Sequence, residues 1–150
     1  MNLGRKKVVI DSNILISAAI YPDSSSAQAY RLAVTFCDLF ASDETMTEIE
    51  HVLLRTKFDR YFSHGGPTRE QFLSDYKGVV RTVEINQVST DCADPKDNKF
   101  LSLALSCGAD IIASGDQKHL IPMHPYRNIS IFSATDFVRV VMQEASRGKQ

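Results

Sequence analysis

Short apolar runs alternate with longer amphipathic stretches along this chain. Val8-Val9-Ile10, bounded by Lys7 and Asp11, is a β-branched run that predicts a strand buried on both faces. Ser25 to Phe36 has Ala27, Tyr30, Leu32, Ala33 and Phe36 on an apolar side and predicts a helix. Asp38 to Ser42 reads as a second strand. A helix over Asp43–Lys57 follows, with Met46, Ile49, Val52, Leu53 and Phe58 in its periodicity and Ser42 or Asp43 as its cap. Ser63-His64-Gly65-Gly66-Pro67-Thr68 is the clearest break and reads as a loop between helices. Arg69–Lys77 is helical, Val79–Ile85 a third strand, and Asn86–Ala93 a linking loop. Lys96–Cys107 is the strongest helix, closed by Gly108. Asp110–Ser114 and Ile129–Phe132 complete the strands. Ser133 caps a last helix reaching about Met142, ahead of a frayed tail from Ser146 to Gln150.

This alternation predicts βαβ units: an α/β chain with a parallel sheet and helices on both faces. Right-handed crossovers leave few topologies. Binding sites in such folds lie outside the carboxyl ends of the strands, where strand order reverses. Residues that end strands therefore carry the functional reading.

The chain has 150 residues and 43% apolar content, which suits one globular domain with its core over about 8–141. No apolar run approaches the roughly 18 residues of a membrane span. The basic start MNLGRKKVVI leads into a stretch broken by Asp11, Ser12 and Asn13, so it reads as a first strand rather than a secretion signal. Three widely spaced cysteines, Cys37, Cys92 and Cys107, suit buried thiols in a reducing cytoplasm rather than disulfides or zinc. A net charge of −1 does not itself point to nucleic acid. Arg55, Lys57, Arg60, Arg69, Lys77 and Arg81 could form one basic face, with scattered solvated charge as the simpler reading.

The carboxylates carry the candidate chemistry. Asp11 ends the first strand and Asp116 follows the fourth, at the same edge of the sheet. Were those strands neighbours, the two carboxylates would face one crevice and repel unless a proton or hard cation lay between them. Either acid alone is also an ordinary turn or cap residue. Asp94-Pro95-Lys96-Asp97 has two readings. As a capping box, Asp94 is the cap, Pro95 the first helical residue and Asp97 the reciprocal partner, and local spacing favours this. Alternatively Asp94 caps alone and Asp97 points into the crevice. Glu44 and Glu48 lie one helical turn apart; Glu48 adjoins the apolar stripe formed by Ile49 and Val52. His51, His64, His119 and His124 lack a zinc spacing and read as surface or internally satisfied side chains.

Taken together, four segments resemble PIN domains. Val9-Ile10-Asp11-Ser12-Asn13-Ile14-Leu15-Ile16-Ser17-Ala18 resembles their opening, and Glu48-Ile49-Glu50-His51-Val52-Leu53-Leu54-Arg55-Thr56-Lys57-Phe58 their second acidic helix. Asp94-Pro95-Lys96-Asp97-Asn98-Lys99-Phe100-Leu101 and Ala109-Asp110-Ile111-Ile112-Ala113-Ser114-Gly115-Asp116 are similar to the third and fourth blocks. The resemblance implies a three-layer α/β/α sandwich with a five-stranded parallel sheet. It also implies an endoribonuclease dependent on Mg²⁺ or Mn²⁺, closest to VapC-like toxins. RNA, a cognate antitoxin protein and a second copy of the chain would be its partners. Carried over residue by residue, the catalytic and metal-holding acids are Asp11, Glu48, Asp97 and Asp116. Ser12, Asn13 and Asp94 support them, and Glu44 is the rival to Glu48. Lys99, Lys118 and Arg55 are candidates for phosphate contact.

The expected chemistry needs no side-chain nucleophile: carboxylate-held metal acidifies water and offsets charge on the scissile phosphodiester. No dinucleotide or P-loop glycine motif is present. Asn13 stands where a haloacid-dehalogenase-type phosphatase needs its second aspartate. Other readings are a housekeeping RNA-processing or structure-specific nuclease, and a catalytically silent PIN-fold binding module.

Overall fold

A computed structural model describes residues 5–63 and 65–147. Met1–Gly4, His64 and the end of the tail, 148–150, lie outside the described residues. The strands are β1 (Lys6–Ile10), β2 (Cys37–Ala41), β3 (Val80–Thr82), β4 (Ile111–Ala113) and β5 (Ser130–Phe132). They form one parallel sheet in the order β3-β2-β1-β4-β5. The helices are α1 (Ser12–Ile20), α2 (Ser25–Phe36), α3 (Asp43–Leu53), α4 (Arg69–Val79), α5 (Asn98–Cys107) and α6 (Ala134–Arg147).

Strand side chains alternate between two apolar layers. Val8, Ile10, Leu39, Ile111 and Ala113 pack with residues of α1, α2, α3, α4 and α6. Val9, Phe40, Ile112 and Ile131 pack with α5 and with Leu120 and Tyr126. The sandwich expected from the sequence is therefore formed. The chain winds from β1 to β2 and β3 on one side, then returns to place β4 and β5 on the other. Strand order reverses between β1 and β4, where Ile10 pairs with Ala113.

Several local expectations are corrected. The sequence reading assigns no helix between Asp11 and Ser25, yet α1 begins at Ser12, and Asp11 caps it by accepting the Ile14 N–H at 3.0 Å. Its Ile14, Leu15, Ala18 and Ile20 are all buried, and so is Ser12, which blurs the one-sided polarity that announces a helix. Helix α3 stops at Leu53 rather than Lys57. Arg69 Nη1 takes the freed carbonyls of Leu53 (3.0 Å) and Arg55 (3.3 Å), and Thr56–Phe62 continues as a 3-10 segment. Strand β3 is an edge of three residues, because Val79 still belongs to α4 and its partner β2 ends at Ala41, just before Ser42 caps α3. Pro95–Asp97 is a 3-10 turn, so α5 proper starts at Asn98; Gly108, at φ 68°, ends it in the left-handed conformation. Helix α6 runs to Arg147, past the expected stop at Met142. No helix of the described residues is long and apolar enough to cross a membrane.

Candidate metal centre

The strand-order reversal brings Asp11 and the loop after β4 together. Asp11 is 2% exposed, and its carboxylate accepts three bonds: Ile14 N–H on Oδ1, and on Oδ2 the Ser114 hydroxyl at 2.6 Å and the Gly115 N–H at 3.0 Å. Burial dominates and pushes its pKa up to about 6; those three bonds oppose the rise, and nearby Asp116 adds to it. Gly115 suits the close approach here: a Cβ at this position would lie 3.3 Å from the Asn13 Cβ, a tight contact.

Ser114 is fully buried and works in both directions: its hydroxyl donates to Asp11 and accepts the Asp116 N–H at 2.9 Å. Asp116 then closes the loop on itself, its Oδ1 accepting the main-chain N–H groups of Lys118 (3.0 Å) and His119 (2.8 Å). On the facing turn, Asp94 accepts the Lys96 N–H at 3.1 Å and so caps Pro95–Asp97. The capping box is not completed. The side chain that reaches back is Asn98, whose Oδ1 takes the Cys92 N–H at 2.9 Å. Asp97 is thereby free of a capping duty, and it joins Asp94, Asp116 and His119 in one group whose ligand atoms all lie within 4.8 Å of one another.

Within that group Asp97 Oδ2 is buried without a hydrogen-bond partner. Two ionised carboxylates offer each other no donor, so a proton or a cation is what satisfies the pair. The protonation pattern agrees. Asp97 is pushed up to about 7, by burial first and then by Asp116, Asp94 and Asp11. Asp116 is held down at about 2, chiefly by accepting the proton that Asp97 retains and further by the His119 and Lys118 N–H groups. An all-carboxylate pair around an unsatisfied oxygen is the donor chemistry of a hard divalent cation. The residues present therefore fit such an ion.

Asp11 adjoins this group without belonging to it, and Glu48 is engaged elsewhere. Glu48 accepts the Ser12 hydroxyl on Oε1 and the Lys99 ammonium on Oε2, both at 2.5 Å. Lys99 also donates to the Lys96 carbonyl at 2.7 Å, so Glu48 is tied to the turn that carries Asp97. Glu44 is exposed and lines an open groove beside Glu48, His51 and Lys99. Asn13 is exposed at the start of α1. His119, read from the sequence as a surface or internally satisfied side chain, lies within this group. Its signal, a histidine three residues after the strand-ending aspartate, is ordinary loop composition until the fold brings Asp94 opposite.

Five of the six basic residues named from the middle of the chain are engaged in separate local contacts. Arg69 pairs with Asp59, Lys77 with Glu50 and Arg81 with Asp38. Lys57 and Arg60 lie over the rings of Phe58 and Tyr61. A cavity of about 410 Å³ opens at the other edge of the sheet, against Arg5, Cys37, Val141 and Glu144. It has no convergent carboxylates, so the chemistry belongs to the carboxyl edge.

A parallel α/β sandwich with acids gathered where its strand order reverses is a frame that several classes of metal- and phosphate-handling proteins share. A family model described as PIN domain matches residues 7–118, well over half of the chain. The chain belongs to the PIN domain family, whose members are generally nucleases. No curated protein matches it. Among solved structures it is similar to one described as the crystal structure of VapBC2 from Rickettsia felis bound to a DNA fragment from their promoter. That likeness has a TM-score of 0.56 at 11% identity and covers 85% of this chain and 98% of that one. At this identity the likeness is one of fold.

Proposed function

We propose that the chain is a metal-dependent endoribonuclease and the toxin of a type II toxin–antitoxin pair, acting as one catalytic domain in the cytoplasm. The buried, unpartnered Asp97 Oδ2 beside Asp116 carries the metal part of this reading. The RNA and toxin parts are supported by the family match and by a fold shared with a VapBC2 assembly. The cognate antitoxin and a second copy of the chain are the protein partners proposed with it.

Asp97 and Asp116 would hold the ion, with Asp94 beside them and Asp11 completing the acidic wall. A bound Mg²⁺ or Mn²⁺ supplies Lewis-acid stabilisation of phosphodiester oxygens and lowers the pKa of water. The chain's own residues do the positioning. Ser114 locks the Asp11 carboxylate to the loop that presents Asp116. Ser12 and Lys99 fix Glu48 against the turn that presents Asp97. Lys99, which also donates to the Lys96 carbonyl of that turn, suits a phosphate contact.

The test is cleavage of a mixed RNA by purified protein across a Mg²⁺ and Mn²⁺ titration, beside Asp97→Asn and Asp116→Asn. Metal-dependent cleavage lost at least about a hundredfold in both folded variants is the expected result. Metal binding without cleavage of RNA would favour the silent binding module. No binding at millimolar metal would end the nuclease reading.

A further inference from the structure

His119 sits in the acidic group without a part in the mechanism above. Its main-chain N–H donates to Asp116 Oδ1 at 2.8 Å, and the next residue, Leu120, is fully buried in the layer under α5. The loop is thus anchored on both sides of the imidazole. Nδ1 lies 3.3 Å from Asp116 Oδ2 and 3.9 Å from Asp94 Oδ2. The imidazole thus faces two carboxylates, and a donor atom of Asp97, the residue with the unsatisfied oxygen, lies within 4.8 Å of its own.

We propose that His119 is a metal ligand through Nδ1, making a centre of three carboxylates and one imidazole that prefers a first-row transition ion such as Mn²⁺ to Mg²⁺. The proposal rests on the metal-dependent reading above and adds the ion's identity. Mg²⁺ favours an all-oxygen octahedron and retains its waters. An imidazole nitrogen adds little to its binding and more to that of first-row transition ions, whose affinities for nitrogen donors rise from Mn²⁺ along the Irving–Williams order. The main-chain bond from His119 to Asp116 fixes the backbone that carries the ring beside the carboxylates.

The test is pulsed electron paramagnetic resonance on the Mn²⁺-loaded full chain, with natural-abundance and ¹⁵N-histidine protein, together with calorimetric titration of Mn²⁺ and Mg²⁺. A nitrogen coupling that changes with the isotope and is absent from His119→Gln is expected. The variant should also bind Mn²⁺ about tenfold or more weakly, with Mg²⁺ affinity changed far less. Should the variant fail to fold, the isotope-sensitive coupling in the natural chain still decides. Mn²⁺ bound without nitrogen coupling, or an equal loss for both ions, would overturn the proposal and leave the carboxylate centre standing. Binding of neither ion would overturn both.

Discussion

The Ser114 hydroxyl donates to Asp11 Oδ2 at 2.6 Å across 103 residues of sequence, and the same oxygen receives the Asp116 N–H. One buried hydroxyl thus fixes the end of β1 to the loop after β4. Ser114→Ala removes a donor from a carboxylate that is 2% exposed and leaves the Asp116 N–H without its acceptor. A loss of about 1–3 kcal/mol in urea denaturation is expected. A change under about 0.5 kcal/mol would show that Gly115 and Ile14 suffice to hold Asp11.

The raised carboxylates set how stability varies with pH. Asp11, at about 6, and Asp97, at about 7, keep protons in the folded chain that the unfolded chain releases near the ordinary value of 3.8. Their contribution is complete below that value and is lost as pH rises through 6 and 7. Asp116, held at about 2, acts oppositely: its contribution is present above 3.8 and is lost only as pH falls toward 2. In chelator, thermal melts should show Tm falling between pH 4.5 and pH 8 by this mechanism, and Asp97→Asn should flatten that fall. A variant profile parallel to the natural one would count against Asp97 as a proton-holding group.

Metal should reverse the same trend. Cation and proton compete for Asp97, so the rise in Tm on adding Mn²⁺ should be large near pH 8 and small near pH 5. A rise independent of pH would place the ion elsewhere.

The Glu48–Lys99 pair, at 2.5 Å, has side chains 28% and 12% exposed. Lys99→Met leaves Glu48 without its counter-charge and should destabilise by about 1–2 kcal/mol, less than a fully buried pair would lose. The double variant Lys99→Met with Glu48→Gln should recover most of this in a double-mutant cycle. Additive losses would mean that Ser12 alone holds Glu48.

Much of this arrangement can be read from particular residues before any coordinates. Val8-Val9-Ile10 and Ile111-Ile112-Ala113 announce buried strands; Asp11 follows the first directly, and Asp116 follows the second after Ser114 and Gly115. The strand-order reversal that joins them stays conditional in the sequence and is fixed by the pairing of β1 with β4. Helix α1 stayed hidden because its turn-like start, Ser12-Asn13, precedes a segment apolar on nearly every side. The double meaning of Asp94-Pro95-Lys96-Asp97 could not be resolved locally, because the deciding partner of the Cys92 N–H is Asn98. The Lys99 contact to Glu48 spans 51 residues, so spacing along one helix cannot reveal it. His119 gains significance only when Asp94 and Asp97 are folded against it.

The order β3-β2-β1-β4-β5 also dictates when the centre can exist during synthesis. A nascent chain that has emerged as far as β3 holds Asp11 and Glu48 but not Asp94, Asp97, Ser114, Asp116 or His119. The turn bearing Asp97 has no facing loop until β4 has docked beside β1. On the proposed function, the message being translated is therefore spared until β4 and the loop after it have been made and folded.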